Sequence, residues 1–277
     1  MIDPEAIWLK MNFHRTRIWW LGALLTTLNV ACHTYDAAPV PRYRITKAAQ
    51  TAYNLAVTMT YQYDGQGRIA SVKEYLSVAD TLDRVTPVAQ TTVNYDAKAP
   101  THIDHTDRRL TKPQTDAEGP VYGTRRVFGY DKQGRLSSVI ESRAIDDFKT
   151  FKLAQTFQYE YGSDNLPVSL TVAGGPLQER DVYTYTFLNG NAVHIQLTVT
   201  NSRLSAPLVT ESDVRFDDAP SVYYHYFAIY PGITSFNKNN VINTNTTLYH
   251  DDRGLLTRRV KTGYYVDDVT LYTYEVY

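Results

Sequence analysis

The stretch YDGQGRIASV at residues 63–72 returns as YDKQGRLSSV at 130–139, identical at seven of ten positions. A chain that carries the same aromatic-Asp-x-x-Gly-Arg string twice must make the same local shape twice. The flanks say which shape. Val57, Met59, Tyr61 and Tyr63 share one parity before the string, and Ile69 starts a second apolar-rich run after it. Successive strand side chains point to opposite faces, so this pattern predicts a β-hairpin. In the turn itself, Asp64 and Asp131 can accept from backbone N–H groups ahead of them. Gly67 and Gly134 supply the left-handed residue that closes the loop, with Arg68 and Arg135 next in line.

Weaker copies follow once the template is known. FQYEYGSDNLPVSLTV puts Tyr161 and Asn165 at the Tyr and Gly positions, and TYTFLNGNAVHIQLTV puts Phe187 and Asn191 there. Asn is the usual substitute for Gly at positive φ. LYHDDRGLLTRRV offers His250, Asp251 and Gly254, while YDAKAP (95–100) and FDDAP (216–220) keep the aromatic-Asp start but end in Pro. From Tyr63 the aromatic markers fall at Tyr95, Tyr130, Tyr161, Phe187, Phe216 and His250, in steps of 32, 35, 31, 26, 29 and 34 residues. Each step holds two strands, a tight turn and a connection. The expectation is an all-β domain over residues 49–277, a long antiparallel meander of about fourteen strands with a further C-terminal hairpin from YYVDD and VTLYTYEVY. Its sheet would be curved, as an open barrel or a sandwich. No sustained helical period occurs after residue 50.

The N-terminal part reads differently. His14, Arg15 and Arg17 precede the apolar run Ile18 to Ala31, and at 14 residues that run suits a secretory signal better than a membrane-spanning helix. Residues 1–31 are expected to be a signal peptide, with Met11 as the natural start because acids lie upstream of the basic cluster. Cys32 is the only cysteine, so it has no intramolecular disulfide partner. Its place directly after the signal resembles a bacterial lipobox, which implies acylation of Cys32 and a membrane partner reached through the lipid. Residues 33–48, with Pro39 and Pro41, would complete a tether that begins at Cys32.

The repeat resembles the YD or RHS repeat, most fully at Tyr63, Asp64, Gly67, Arg68, Ile69 and at Tyr130, Asp131, Gly134, Arg135, Leu136. The large RHS toxins are similar only locally, since they need many more repeats to enclose a cargo. The chain also resembles a group of lipoprotein domains of unknown function from Gram-negative bacteria. That likeness rests on the YD hairpins and on FDDAPSVYYHYFAIYPGITSFNKNN (216–240), with its aromatic-Asp-x-x-Pro start and the element Ser235 to Asn240. It implies a porin-like curved antiparallel sheet and an outer-membrane lipoprotein address, and it implies no activity.

Chemistry is sparse. With 28 basic and 29 acidic residues there is no basic excess to meet nucleic-acid phosphates. His102 and His105 belong to no HExxH, and on a strand they would face opposite sides. The pairs Asp146-Asp147, Asp217-Asp218, Asp251-Asp252 and Asp267-Asp268 suit turns rather than a calcium loop. Gly65-Gln-Gly67-Arg-Ile-Ala70 imitates a dinucleotide fingerprint but would lie between two strands, without the helix N-terminus that chemistry needs. No catalytic residue, metal site or cofactor is expected, and the chain is read as non-enzymatic. The 23 tyrosines suit half-buried sheet positions; Tyr223 and Tyr226 stand out as candidates for a stacking surface towards a glycan or an envelope protein. The alternatives are a transmembrane β-barrel of porin type, raised by the alternating aromatic C-terminal strand, and a glycan-binding surface protein.

Overall fold

The computed structural model describes residues 43–277 apart from 53–54, 79–86, 108–120, 146–147, 176–178, 225, 231 and 264–265. Cys32, the apolar run before it and the Asp146-Asp147 pair lie outside the described residues.

The described chain forms β1 (Tyr43–Ala52), β2 (Leu55–Tyr63), β3 (Ile69–Val78), β4 (Ala89–Tyr95), β5 (Pro100–Asp107), β6 (Val121–Tyr130), β7 (Leu136–Ile145), β8 (Thr150–Tyr161) and β9 (Pro167–Gly174). It continues with β10 (Glu179–Leu188), β11 (Asn191–Thr200), β12 (Leu208–Asp213), β13 (Arg215–Pro220), β14 (Asn239–Ile242), β15 (Thr246–His250), β16 (Leu256–Lys261) and β17 (Asp268–Val276). Fifteen strands make one antiparallel sheet in the order β12 back to β1, then β17, β16, β15, and β13 pairs with β14 in a separate ribbon. The architecture is all-β and meandering, a single large sheet rather than a two-sheet sandwich. The residues assigned to the tether from Tyr43 to Ala48 belong to β1, whose partner β17 leaves no room for a free linker there. The C-terminal segment adds one strand, β17, between β16 and β1.

The repeated string is a turn with a fixed wiring. The Asp64 N–H donates to the Arg68 carbonyl (2.9 Å), and the Gly67 N–H donates back to the Asp64 carbonyl (3.0 Å). Asp64 Oδ1 accepts from the N–H groups of Gln66 and Arg68, and Oδ2 accepts from Arg68 Nε at 2.8 Å. Asp131, Gln133 and Arg135 repeat every one of these bonds. Gly67 and Gly134 both sit at φ +78°, and Gly254 and Asn165 hold the corresponding left-handed positions at +77° and +62°.

The Arg of each full turn then reaches the next repeat. Arg68 lies 4.2 Å over the Tyr95 ring and Arg135 lies 4.5 Å over the Tyr161 ring. The hydroxyls of these tyrosines return to the strand that follows the preceding turn: Tyr95 donates to the Ile69 carbonyl (3.0 Å) and Tyr161 to that of Leu136 (2.8 Å). Tyr63, Tyr130 and Tyr274 do the same to Ile45, Pro100 and Leu256. Each of the two full turns is thereby stitched to the next repeat by a cation–π and a hydroxyl contact, with the Arg held in place by an ion pair inside its own turn.

Two copies depart from the template. The loop before β11 takes its positive φ at Asn189 (+53°) and Gly190 (+81°), so Asn191 is not the turn residue. It opens β11 as a buried side chain. FDDAP makes no hairpin end: Phe216 to Pro220 are strand β13, and the marker at Phe216 is not a repeat of the sheet.

Two predictions follow from this wiring. A Cβ at Gly67 would fall 1.7 Å from Tyr277 Oη, whereas one at Gly134 meets nothing within 4 Å. Gly134→Ala is expected to cost about 1–2 kcal/mol from left-handed strain alone. Gly67→Ala should cost only slightly more, because the exposed end of Tyr277 can swing aside at the loss of its hydrogen bond to the Gln66 carbonyl; a urea-denaturation loss several times that of Gly134→Ala would show Tyr277 to be held in place. The second concerns acid. Desolvation opposes ionisation of Asp64 and Asp131, but the backbone donors and the Arg partner outweigh it and hold both carboxyls below their ordinary 3.8. The Arg253 side chain, with the N–H groups of Leu255 and Arg253, does so for Asp251. A depressed folded-state value contributes stability that is present above 3.8 and is lost as pH falls through the lowered value. The denaturation midpoint should therefore hold steady down to about pH 4 and decline below it. The Asp64→Asn/Asp131→Asn double variant should start less stable and decline more gently, and an unchanged slope would refute the linkage.

Candidate binding site

Between β13 and β14 the chain leaves the sheet for residues 221–238 and fills its concave side. Pro220 ends the strand. The segment then turns repeatedly, with Tyr224 donating to the Ser221 carbonyl, Tyr226 to that of Tyr223, and both Ile229 and Tyr230 to that of Tyr226, before a single 3₁₀ turn at Ile233–Phe236. Six of its eighteen residues are Tyr or Phe, and several of them meet an aromatic wall. Tyr230 Oη lies 2.9 Å from Tyr61 Oη, Tyr226 Oη 3.3 Å from Tyr63 Oη, and Tyr223 Oη 3.4 Å from Tyr272 Oη. Phe227 packs edge-on against Phe128, and Phe236 packs on Tyr159 and Tyr161.

These contacts require a curled sheet. Strands β2 and β8 are six positions apart in the order, about 29 Å in a flat sheet. Tyr230 touches β2 and Phe236 touches β8, yet a six-residue separation spans at most about 21 Å even fully extended. The sheet closes around the inserted segment to bring both walls within reach. Arg126 and Glu141 pair on the same concave side, and Arg126 Nη1 donates to the Ile229 carbonyl at 3.2 Å. Gln155 Nε2 completes the Glu141 carboxylate at 2.9 Å.

The sheet has two edges, β12 and β15, each with one ladder partner. The β13–β14 ribbon ties both sides of the gap through side chains. Asn239 and Asn191 exchange two bonds of 2.9 Å, one from the Asn191 amide and one to its carbonyl oxygen. Asn237 Oδ1 accepts from the buried Ala192 N–H at 2.8 Å. On the other side Asp217 Oδ2 lies 3.1 Å from His250 Nε2 and accepts from Asn240 Nδ2. His250, expected at the aromatic position of a turn, thus serves as a tie to the ribbon.

Cavities lined by described residues remain beside this filling. One, of about 370 Å³, lies between the inserted segment and β15–β17; Tyr223, Asn237, Leu248, Arg259, Asp268 and Tyr272 are among its lining residues. Another, of about 250 Å³, is lined by Glu141, Arg143, Gln155, Glu179 and Asp181 among others. Burial first, and neighbouring phenols second, push the hydroxyls of Tyr61, Tyr63, Tyr230 and Tyr272 above their ordinary value. These groups are neutral hydrogen-bonding phenols, with no phenolate to act as a base. Among the described residues no group of three or more His, Cys, Asp or Glu is placed to hold a metal ion.

Of the two tyrosines expected on a stacking surface, Tyr223 lines the larger cavity and Tyr226 is packed into the core against Tyr63. Neither stands on an outer face. Strand alternation does not apply to a segment folded inward by consecutive turns, so their exposure was not readable from spacing. The turn residues Tyr63, Asp64, Gly67, Arg68, Tyr130, Asp131, Gly134, Arg135, Asn165 and Gly254 end or link hairpins and do not converge on either cavity. Arg259 and Asn237 carried no chemical signal in the sequence, although Asn237 falls within the element Ser235 to Asn240; the sequence puts Asp268 in a turn pair, whereas it opens β17 and lines the cavity.

Asn237 yields a prediction. It is 3% exposed and its partner Ala192 is fully buried, so Asn237→Ala strands a buried N–H and should cost about 1–3 kcal/mol. Faster proteolysis between β12 and β15 should accompany the loss; wild-type stability would show the tie to be dispensable.

No family model matches the chain, and no curated protein does. Solved structures do. A porin-like protein from Bacteroides vulgatus aligns over 84% of this chain and 98% of its own with a TM-score of 0.50 at 12% identity. A porin-like protein from Bacteroides uniformis aligns over 83% and 96% with a TM-score of 0.47 at 13% identity. A chain of the TcdB2-TccC3-Cdc42 structure aligns over 79% of this chain but 12% of its own, with a TM-score of 0.30 at 14% identity. At such identities the similarity concerns the fold.

Proposed function

We propose that this chain is a non-enzymatic binding module of the bacterial cell envelope, acylated at Cys32 and held at the outer membrane by that lipid, with its β-domain in water. The observation that carries the reading is the polarity of the two faces of the sheet. The concave face holds Tyr61, Val72, Ile103, Phe128, Val139, Tyr159, Leu170 and Tyr185, all buried. Cross-strand partners share a face, and the opposite face reads Thr60, Lys73, Gln90, Thr106 across β2 to β5. It continues as Asp104, Arg125, Ser142 across β5 to β7 and as Thr184, Gln196, Glu211 across β10 to β12. A lipid-facing barrel needs a continuous apolar band on that outer face and a polar lumen. Here polar rows interrupt the apolar residues exposed on that face, Val127, Ile140, Val209 and Leu271 among them, while the inner face is apolar and packed against the inserted segment. This argues against the porin-type transmembrane reading despite the similar topology.

A filled interior and a hydrated exterior leave recognition, rather than conduction, as the task. The partner is a glycan or another envelope component; nothing in the charge balance favours nucleic acid.

Two fractionation measurements test the proposal. Cys32→Ser should leave an unprocessed, unacylated precursor, and residues 33–277 alone should run as a monodisperse β-rich species without detergent. Unchanged processing of Cys32→Ser would remove the lipid anchor from the account. A domain that folds only in detergent or lipid would restore the transmembrane barrel.

A further inference from the structure

The larger cavity holds two polar groups whose needs are unmet in complementary ways. Arg259 and Thr270 face each other across β16 and β17, and Arg259 Nη2 donates to Thr270 Oγ1 at 3.3 Å. Among the described residues no carboxylate pairs with this guanidinium, and its Nε is buried without a hydrogen-bond partner. Asp268 Oδ2 accepts from Gln50 Nε2 at 2.7 Å, while Asp268 Oδ1 is buried without a partner. Both residues line the same cavity of about 370 Å³ and form no ion pair with each other. A guanidinium with one neutral partner in a partly open cavity favours an anionic acceptor. A carboxylate with an unused oxygen favours a donor.

The rest of the wall narrows the chemistry. Tyr223 and Tyr272 bring aromatic surface, Asn237 contributes an amide, and Lys261 adds a second cation from an exposed position. We propose that this cavity binds an acidic monosaccharide unit, its carboxylate on Arg259 with Lys261 nearby, a ring hydroxyl donating to Asp268, and its apolar ring face against Tyr223 and Tyr272. A sugar acid supplies an anion, hydroxyl donors and a flat apolar face in one small molecule, as this lining requires. The inference rests on the reading of the domain as a binding module, and names the ligand class for it.

The test uses the full chain in mild detergent, with glucuronate as probe and glucose as the neutral control, followed by titration calorimetry and ligand-observed NMR. Glucuronate should bind, and glucose should bind about tenfold more weakly or not at all, since the charge-assisted bond is lost. Arg259→Gln should weaken glucuronate by about tenfold or more, and Asp268→Asn should weaken it less. Because Arg259 is partly buried, Lys261→Gln serves as the variant that leaves the fold intact, with an expected loss of a few-fold and a circular dichroism spectrum like wild type. Equal binding of glucose and glucuronate would overturn the proposal, as would no binding of either or an Arg259→Gln variant that binds normally. Preference for a zwitterionic amino acid over glucuronate would overturn it as well, and would assign Asp268 to an ammonium. None of these outcomes alters processing at Cys32 or folding without detergent, so failure here is separable from failure of the envelope reading.

Discussion

One three-part contact recurs along the sheet and sets its order: an Asp that wires a turn, an Arg that leaves the turn, and a Tyr of the following repeat beneath that Arg. Asp64, Arg68 and Tyr95 form it once, and Asp131, Arg135 and Tyr161 form it again. Taken singly the parts are modest, since a partly exposed ion pair or cation–π contact contributes about 1 kcal/mol or less. Their value lies in direction. Each turn specifies its own hairpin and also the position of the next, so a meander of short-range pairings is built without long crossovers. Burial of the Tyr95 hydroxyl, which pushes its pKa up to about 12, keeps it a donor to Ile69 across the whole physiological range.

A long sheet stitched this way has a hydrophobic face to cover and two edges to protect. Residues 215–242 meet the first problem and bridge the gap between the edges. The segment from Ser221 to Lys238 supplies the aromatic filling around which the sheet curls, and the flanking ribbon ties β11 to β15 across the gap. The ties reach β11 and the end of β15, while the edge strand β12 stays exposed along its length. Closure by a plug, rather than by a final strand pair, also explains how a porin-like topology can hold an apolar interior.

Filling is incomplete where the inserted segment meets β15–β17, and polar groups gather there. A guanidinium and a carboxylate that line one cavity without pairing are costly to keep in a folded domain unless something else answers them. Stability alone would favour an Arg259–Asp268 ion pair or two apolar side chains. The arrangement seen is the one a binding site needs, with the scaffold rigid and the recognition groups left available.

Much of this scaffold was legible in the chain. The doubled YD string with its Asp and Gly chemistry determined where hairpins turn, and alternation determined that the elements are strands, because both signals act within ten residues. The same locality misplaced Asn191, where Asn189 and Gly190 offered a tighter two-residue turn one step earlier. It also misread FDDAP, whose aromatic-Asp start begins a strand. The tertiary structure alone decided that Tyr226 faces inward, that Asn237 and Asp217 tie the edges, and that Arg259 and Asp268 share a cavity. The first two facts depend on residues about 30 to 160 positions apart meeting across a curled sheet, and the third on which face of the β16–β17 pairing the two side chains share; no local preference records which wall a side chain will meet.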